Sequence, residues 1–355
     1  ALGNLMGVNA DWEIYNFGAY TARYQEAASA VAVQENNLAL NSYDLRNQVI
    51  ATYLELVRYN SLAAIQQKNI DRTAEILRAV SAFVVSGLKP AVDSAIAAAE
   101  LSKARLNFLD IVNAVQSAKI QLANFTGLDT AAIRVDAALY QRIPQVLAEN
   151  LSQDSVFSTH PLLRYRQSIY ENNLAAKNRI HKDLLPKVSV MASAWARGSS
   201  ITPADEYKSL ANGFAYARYN YVAGIGITYN LTDGKRTRLR EQVQQALSQL
   251  AWQGWEEDKV FLQQAFNQAD NNLQTAIRKW EEMPYQKDAA TAAYTQKNAL
   301  YAAGLTNIIE LTNTLYLLNR AETDEVQVSN AVWRALYQKM AAGNQVNYFL
   351  TLFNR

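Results

Sequence analysis

The sequence has no cysteine and only two histidines, His160 and His181, in 355 residues. Disulfides and thiolate metal sites are thereby excluded, and a nucleophile paired with a histidine is poorly supplied. Neither sign of charge dominates: 34 basic residues meet 32 acidic ones, a net charge of +2. No basic run interleaves with aromatics as a nucleic-acid groove requires. No nucleic-acid partner, cofactor, metal or catalytic group is expected, and the chain is not expected to be an enzyme. No apolar run reaches the ~18 residues of a membrane-spanning helix, and no signal segment opens the chain. Contact with a bilayer would therefore fall to β-strands.

What is present is a large internal repeat. Gly18 and Gly234 lie 216 positions apart, Gly87 and Gly304 lie 217 apart, and Gly127 and Gly343 lie 216 apart. Tyr15-Asn16 matches Tyr229-Asn230, and GLKPAVD (Gly87–Asp93) matches GLTNIIE (Gly304–Glu310) with an acidic residue six after each glycine. This is a tandem duplication. Between Gly18 and Gly87 there is no proline or glycine, and Val49, Leu56, Ala63, Ile70, Leu77 and Val84 recur every seventh residue, the mark of a seam facing another helix. Between Gly234 and Gly304 the helical pattern is interrupted only by Gly254 and Pro284, where a bend is expected. Shorter helices, about Ala91–Phe125 and Asn307–Ala341, are expected to fold back along the long ones, and a helix over His160–Leu185 to stack with a short helix and complete the partner.

Three stretches alternate as strands. In Val8–Phe17 the apolar set is Val8, Ala10, Trp12 and Ile14, facing away from Asn9, Asp11 and Glu13. From Pro186, the row Val188, Val190, Ala192, Ala194 and Ala196 alternates with Lys187, Ser189, Met191, Ser193, Trp195 and Arg197; from Arg218 the row Tyr219, Tyr221, Ala223, Ile225, Ile227, Tyr229 and Leu231 alternates with Arg218, Asn220, Val222, Gly224, Gly226, Thr228 and Asn230. Tyrosines at both ends of the apolar face and a polar opposite face suit a lipid-facing barrel wall. Ser199–Ala217 reads as a long polar loop.

Strand, immediate long helix, tip glycine with an acidic residue six later, and duplication of the whole: this resembles the TolC family of outer-membrane efflux and secretion channels. The resemblance implies a mainly α fold with a membrane β-barrel portion. Long antiparallel helical hairpins would form a trimeric α-barrel tunnel, joined to a 12-stranded barrel shared by three protomers. In these terms, residues 1–17 would be a barrel strand truncated at its start, 18–126 a periplasmic hairpin and 127–159 an equatorial linker. A helix over 160–185 would follow, then a strand hairpin over 186–231 with external loop 199–217, a second hairpin over 232–342 and an equatorial segment over 343–355. The repeat offset places the counterpart of the His160 helix before the chain begins, so a first strand and its helix, roughly 60 residues or more, are expected to be missing.

The resemblance also implies an outer-membrane location reaching into the periplasm, contact with outer-membrane lipid, a homotrimer, and work with a periplasmic adaptor and an inner-membrane pump. Glu310 matches an acidic residue that rings the periplasmic mouth in family members, and Asn313 stands where some members have a second one; these are the candidate gate. Asp93 and Tyr301 match a hydrogen-bonded pair that holds the closed tip, with Thr306 in place of an arginine found in some members. The exposed small and apolar tips Gly87-Leu88 and Gly304-Leu305 are candidate docking points for the adaptor's helical hairpins. The alternative from another class is a non-channel periplasmic helical rod, an adaptor or structural protein.

Other motifs carry less. DGKRTRLR (Asp233–Arg240) lacks the glycine five before Gly234 that a phosphate loop needs, the position being Tyr229. Its cations oppose the helix dipole, so either an outside partner such as lipid phosphate at the barrel's rim or a solvated face accounts for them. Gly224-Ile225-Gly226 reads as close packing in a strand. Glu256-Glu257 and Glu281-Glu282 point to different parts of a helix surface, and both histidines read as structural.

Overall fold

The computed structural model describes residues 2–136, 138–144 and 159–353, with Phe353 in its backbone only. Residues 137 and 145–158 of the linker expected at 127–159, and the end of the segment at 343–355, lie outside the described residues. In chain order the elements are β1 (Gly3–Tyr15), α1 (Ala19–Val85), α2 (Ala91–Thr126), α3 (Pro161–Asp183), β2 (Lys187–Ser199), α4 (Leu210–Phe214), β3 (Arg218–Thr228), α5 (Gly234–Ala302), α6 (Ile308–Ala342) and α7 (Val346–Phe353). Short 3₁₀ turns lie at Thr130–Ala132 and Leu139–Arg142. The fold is mainly helical, and among the described residues no helix is long and apolar enough to cross a membrane. Helix α5 runs unbroken through Gly254 and Pro284, so neither ends it.

Two compact units divide the chain, and α1, α3 and α5 contribute to both. One comprises Ala1–Asn37 and Arg164–Glu256. Its three-stranded antiparallel sheet has the order β1-β2-β3. The register sets Val8, Ala194 and Tyr221 in one cross-strand row, Ala10, Ala192 and Ala223 in the next, and Trp12, Val190 and Ile225 in the third. All of these share a face, because side chains alternate with period two. The other face carries Asn9, Ser193 and Val222, then Asp11, Met191 and Gly224, then Glu13, Ser189 and Gly226. Gly226 makes room for Met191, whose Cε lies 2.7 Å from where a Cβ would stand, whereas Gly224 meets nothing; close packing holds for one glycine of the pair.

The strand ends differ from the sequence pattern in two places. A register shift between Glu13 and Tyr15 sets Tyr15, rather than Ile14, opposite Val188; one extra residue changes which side chain continues the apolar row. Strand β3 stops at Thr228, before Tyr229 and Leu231, where Asn230 Oδ1 accepts from the backbone N–H and hydroxyl of Thr232. Such a side-chain turn competes with the ladder. The β2–β3 connection is more than a polar loop: it contains α4 and an Ile201–Tyr207 bridge. It returns to the first strand through Asn4 Nδ2, which donates to the Phe214 carbonyl at 2.8 Å. Within this unit α3 is bonded to both long helices. Arg23 holds Asp183 at 2.7 Å, Ser29 donates to Asn172, Gln244 donates to Asn173 Oδ1, and His181 meets Glu241 at 2.9 Å.

The second unit comprises Leu38–Leu163 and Glu257–Arg355. Its main core gathers Ile50, Leu54 and Val57 from α1, Leu273 and Ala276 from α5, Val332, Trp333, Leu336 and Met340 from α6, and Val346 and Phe349 from α7. Phe349 meets the Trp333 and Tyr337 rings edge-on at 5.9 and 5.3 Å. Along α1 the fully buried row continues as Leu62, Gln66, Asn69, Thr73, Ile76 and Val80. The apolar heptad Val49, Ala63, Ile70, Leu77 and Val84 flanks it half-buried, with Leu56 alone of that set fully buried. Arg72 grips Glu322 with two bonds of 2.7 and 2.8 Å. His160 is buried against Tyr43, its Nδ1 accepting from the Leu162 N–H, and burial lowers its pKa.

Candidate functional site: the hairpin tips

Both long helices end in the same turn. Gly87 and Gly304 have φ of +73° and +78°, the left-handed conformation that glycine adopts without a Cβ penalty. After α1, the Gly87 N–H donates to the Val84 carbonyl and the Leu88 N–H to the Phe83 carbonyl. After α5, Gly304 donates to Tyr301 and Leu305 to Leu300. This paired Schellman pattern satisfies the last carbonyls of each helix. In that motif the residue after the glycine often packs back on its helix, yet Leu88 and Leu305 are 71 % and 75 % exposed. Gly87 and Gly304 are exposed beside them.

Beneath the turns lies a small core of Ile76, Val80, Ala97, Tyr301, Ile308, Leu311 and Leu315, which draws on all four hairpin helices. The Phe83 ring meets Tyr301 edge-on at 6.4 Å. Lys89 ties the two turns together: its Nζ donates to the Thr306 carbonyl at 3.3 Å and lies 5.1 Å from the centre of the Tyr301 ring.

Asp93 and Glu310 hold equivalent positions, each in the first turn of the returning helix. Their surroundings differ. Asp93 is 9 % exposed. Burial, and then the charge of Asp93, push the Tyr301 phenol above its ordinary pKa. The hydrogen bond between this pair that the resemblance implies is not made: the Tyr301 hydroxyl is buried with no hydrogen-bond partner among the described residues. Desolvation without a partner is costly, so the phenol is poised for an acceptor it does not hold here. Thr306 serves Glu310 instead, donating its hydroxyl to Oε2 at 2.8 Å.

Glu310 is exposed and its carboxylate is held by Lys297 Nζ and Thr306, which keep its pKa below the ordinary carboxylate value, the lysine bond contributing most. Its backbone N–H donates to the capping Asn307 side chain at 2.9 Å. Asn313, almost one turn on, is exposed. Lys297 and Lys89 are the members that sequence reasoning missed. Position about the turn offers a signal for the first, since Lys297 precedes Gly304 by about as many residues as Glu310 follows it.

Strands that run into helices of 67 and 69 residues, each ended by the same glycine turn and a returning helix, define the fold of TolC-like outer-membrane channels. Residues 3–128 match the family model of the outer membrane efflux protein. Among solved structures, the outer-membrane channel OprN aligns with a TM-score of 0.75 at 16 % identity, over 96 % of this chain and 74 % of its own. The outer membrane protein VceC from Vibrio cholerae aligns at 0.77 and 14 %, over 96 % and 86 %. The Campylobacter jejuni CmeC outer membrane channel aligns at 0.76 and 11 %, over 97 % and 77 %. At these identities the likeness is one of fold. A search of curated protein sequences gives no match.

Proposed function

We propose that the chain is one protomer of a homotrimeric outer-membrane efflux duct, a passive conduit across periplasm and outer membrane driven by a partner pump through a periplasmic adaptor. The observation that carries this reading is the two-faced sheet. Val8, Trp12, Tyr221, Ile225 and Ile227 lie on its apolar face and are 63–88 % exposed. Hydrocarbon would cover such a face, while the polar face would line water. The outer strands β1 and β3 leave edges that a bilayer does not tolerate unpaired, so closure calls for strands from further copies, twelve in all by the resemblance. The long hairpins would continue the wall as a tunnel, with Glu310 and Asn313 near its mouth and Asp93, Tyr301 and Thr306 within the closing tip.

The expected outcome is a heat-resistant trimer in the outer-membrane fraction that conducts ions in planar bilayers. A monomer soluble without detergent and without conductance would favour the helical-rod adaptor instead. The exposed Leu88 and Leu305 are the docking points of this reading. Leu88→Glu with Leu305→Glu should abolish efflux while the trimer survives; transport at its normal level would remove the docking assignment.

A further inference from the structure

The β3–α5 elbow carries a charge that the protomer does not compensate. Lys235, Arg236, Arg238 and Arg240 fall in the first two turns of α5, against one acidic neighbour, Asp233. All four are exposed. Other nearby carboxylates are already engaged: Asp183 by Arg23 and Arg179, Glu241 by His181, and Glu13 by Lys187. Among the described residues no ion pair reaches any of the four cations. They oppose the helix dipole, and the spacings of Lys235 with Arg238 and Arg236 with Arg240 place like charges side by side. Each of these costs stability unless an anion comes from outside.

The position of the cluster indicates which anion. Tyr15 pairs with Val188 and Val188 with Ile227, so the end of β1, the start of β2 and the end of β3 share one edge of the sheet. Just past that edge stand Phe17, whose ring meets Tyr15 at 4.7 Å, and Tyr229 and Leu231, 50 % and 86 % exposed. Apolar face, aromatic rim, then cations is the order of a bilayer's interface with anionic headgroups. Arg240 also lines a polar recess of about 350 Å³ with Arg179, Asp183, Asn230, Asp233 and Thr237, the Asp183 carboxylate being already engaged by Arg23 and Arg179. The other strand-to-helix junction offers no such site: from Gly18 to Tyr24 its only cation is Arg23, which is paired with Asp183.

We propose that the β3–α5 elbow binds the phosphate of an anionic lipid headgroup, Arg240 presenting its guanidinium fork and Lys235, Arg236 and Arg238 supplying the attracting field. The inference rests on the membrane reading of the sheet.

Its test places the purified protein in nanodiscs of mixed phosphatidylcholine and phosphatidylglycerol and measures the phosphatidylglycerol retained after delipidation, by mass spectrometry. Retention should exceed the bulk ratio and fall as salt rises. At about fivefold per cation near a membrane surface, Arg236→Gln/Arg240→Gln should weaken retention by more than tenfold. Arg278→Gln/Lys279→Gln, the same charge change elsewhere on α5, should leave it intact. Unchanged retention in the first variant, equal loss in the second, or displacement of the lipid by inorganic phosphate alone would each overturn the proposal. Failure of the wild-type protein to enter nanodiscs would sink the membrane reading and the lipid site with it, an outcome distinct from insertion without lipid preference.

Discussion

Helices α2 and α6 are the returning arms of the two hairpins, nearly equal at 36 and 35 residues, yet they are buried very differently. Sixteen residues of α6 are buried, among them Trp333, Leu336 and Met340, against six of α2. Conversely α2 leaves Val92, Leu106, Leu109 and Ile120 exposed along its length, while α6 exposes large apolar side chains only in its tip half, at Ile309, Tyr316 and Leu317. The two arms share their length and their tip turn, yet only one of them is the hub of the core. The other carries apolar side chains that no described residue covers, the condition of a helix that packs against a further partner, which in the proposed trimer would be a neighbouring copy.

The sharpest way to break that contrast is to truncate one side chain on each arm. Trp333→Ala removes a ring that is 1 % exposed and should cost about 3–5 kcal/mol of unfolding free energy, read from denaturant midpoints. Leu106→Ala should leave the stability of the single chain within about 0.5 kcal/mol while lowering the temperature at which the proposed trimer dissociates. Equal losses in protomer stability would mean that α2 is as much a core helix as α6.

A smaller effect separates the glycines. At Gly87 and Gly304 an added Cβ meets nothing within 4 Å, so Gly→Ala there carries only the left-handed backbone penalty, about 1–2 kcal/mol, and should be alike for the two tips. The third repeat pair should diverge. Gly127 has φ +71°, whereas Gly343 has φ −83° and hands the left-handed conformation to Asn344 at +57°. Gly343→Ala therefore escapes backbone strain and meets instead the Lys339 carbonyl at 3.3 Å and the Phe266 ring at 3.4 Å. A thermal shift smaller than that of Gly127→Ala is expected; a larger one would show that this contact cannot give way.

These contrasts mark how far the sequence is readable. The tip turns are legible because glycine, an apolar follower and an acidic residue recur at one offset, and the sheet's two faces are legible because alternation leaves no second assignment. The shift after Glu13 is not, since an extra residue changes the register without changing composition. The buried row of α1 is hidden for a different reason: Gln66, Asn69 and Thr73 are polar, and periodicity searched with apolar residues alone finds the half-buried row beside it. At the tips, Asp93 and Glu310 are equivalent in sequence, and only their neighbours in space make one buried and the other paired.

That last pair supplies the smallest effect on stability and the most specific one on function. The Glu310 carboxylate has its pKa lowered by Lys297 and Thr306, so what it adds to stability is complete above the ordinary carboxylate pKa and is lost as pH falls through the depressed value. Glu310→Gln should consequently be slightly less stable than the parent at neutral pH, the exposed pair being weak, and the two should converge once the pH falls below the depressed value. Conduction is the stronger test. Glutamate and Lys297 together carry no net charge, so if the proposed trimer brings its tips to the axis, the glutamine variant would leave three uncompensated lysines there and cation preference in planar bilayers should fall. Lys297→Gln should shift it the opposite way. If neither variant moves the reversal potential, Glu310 does not face the lumen, and the difference between Glu310 and Asp93 reduces to how each caps its own helix.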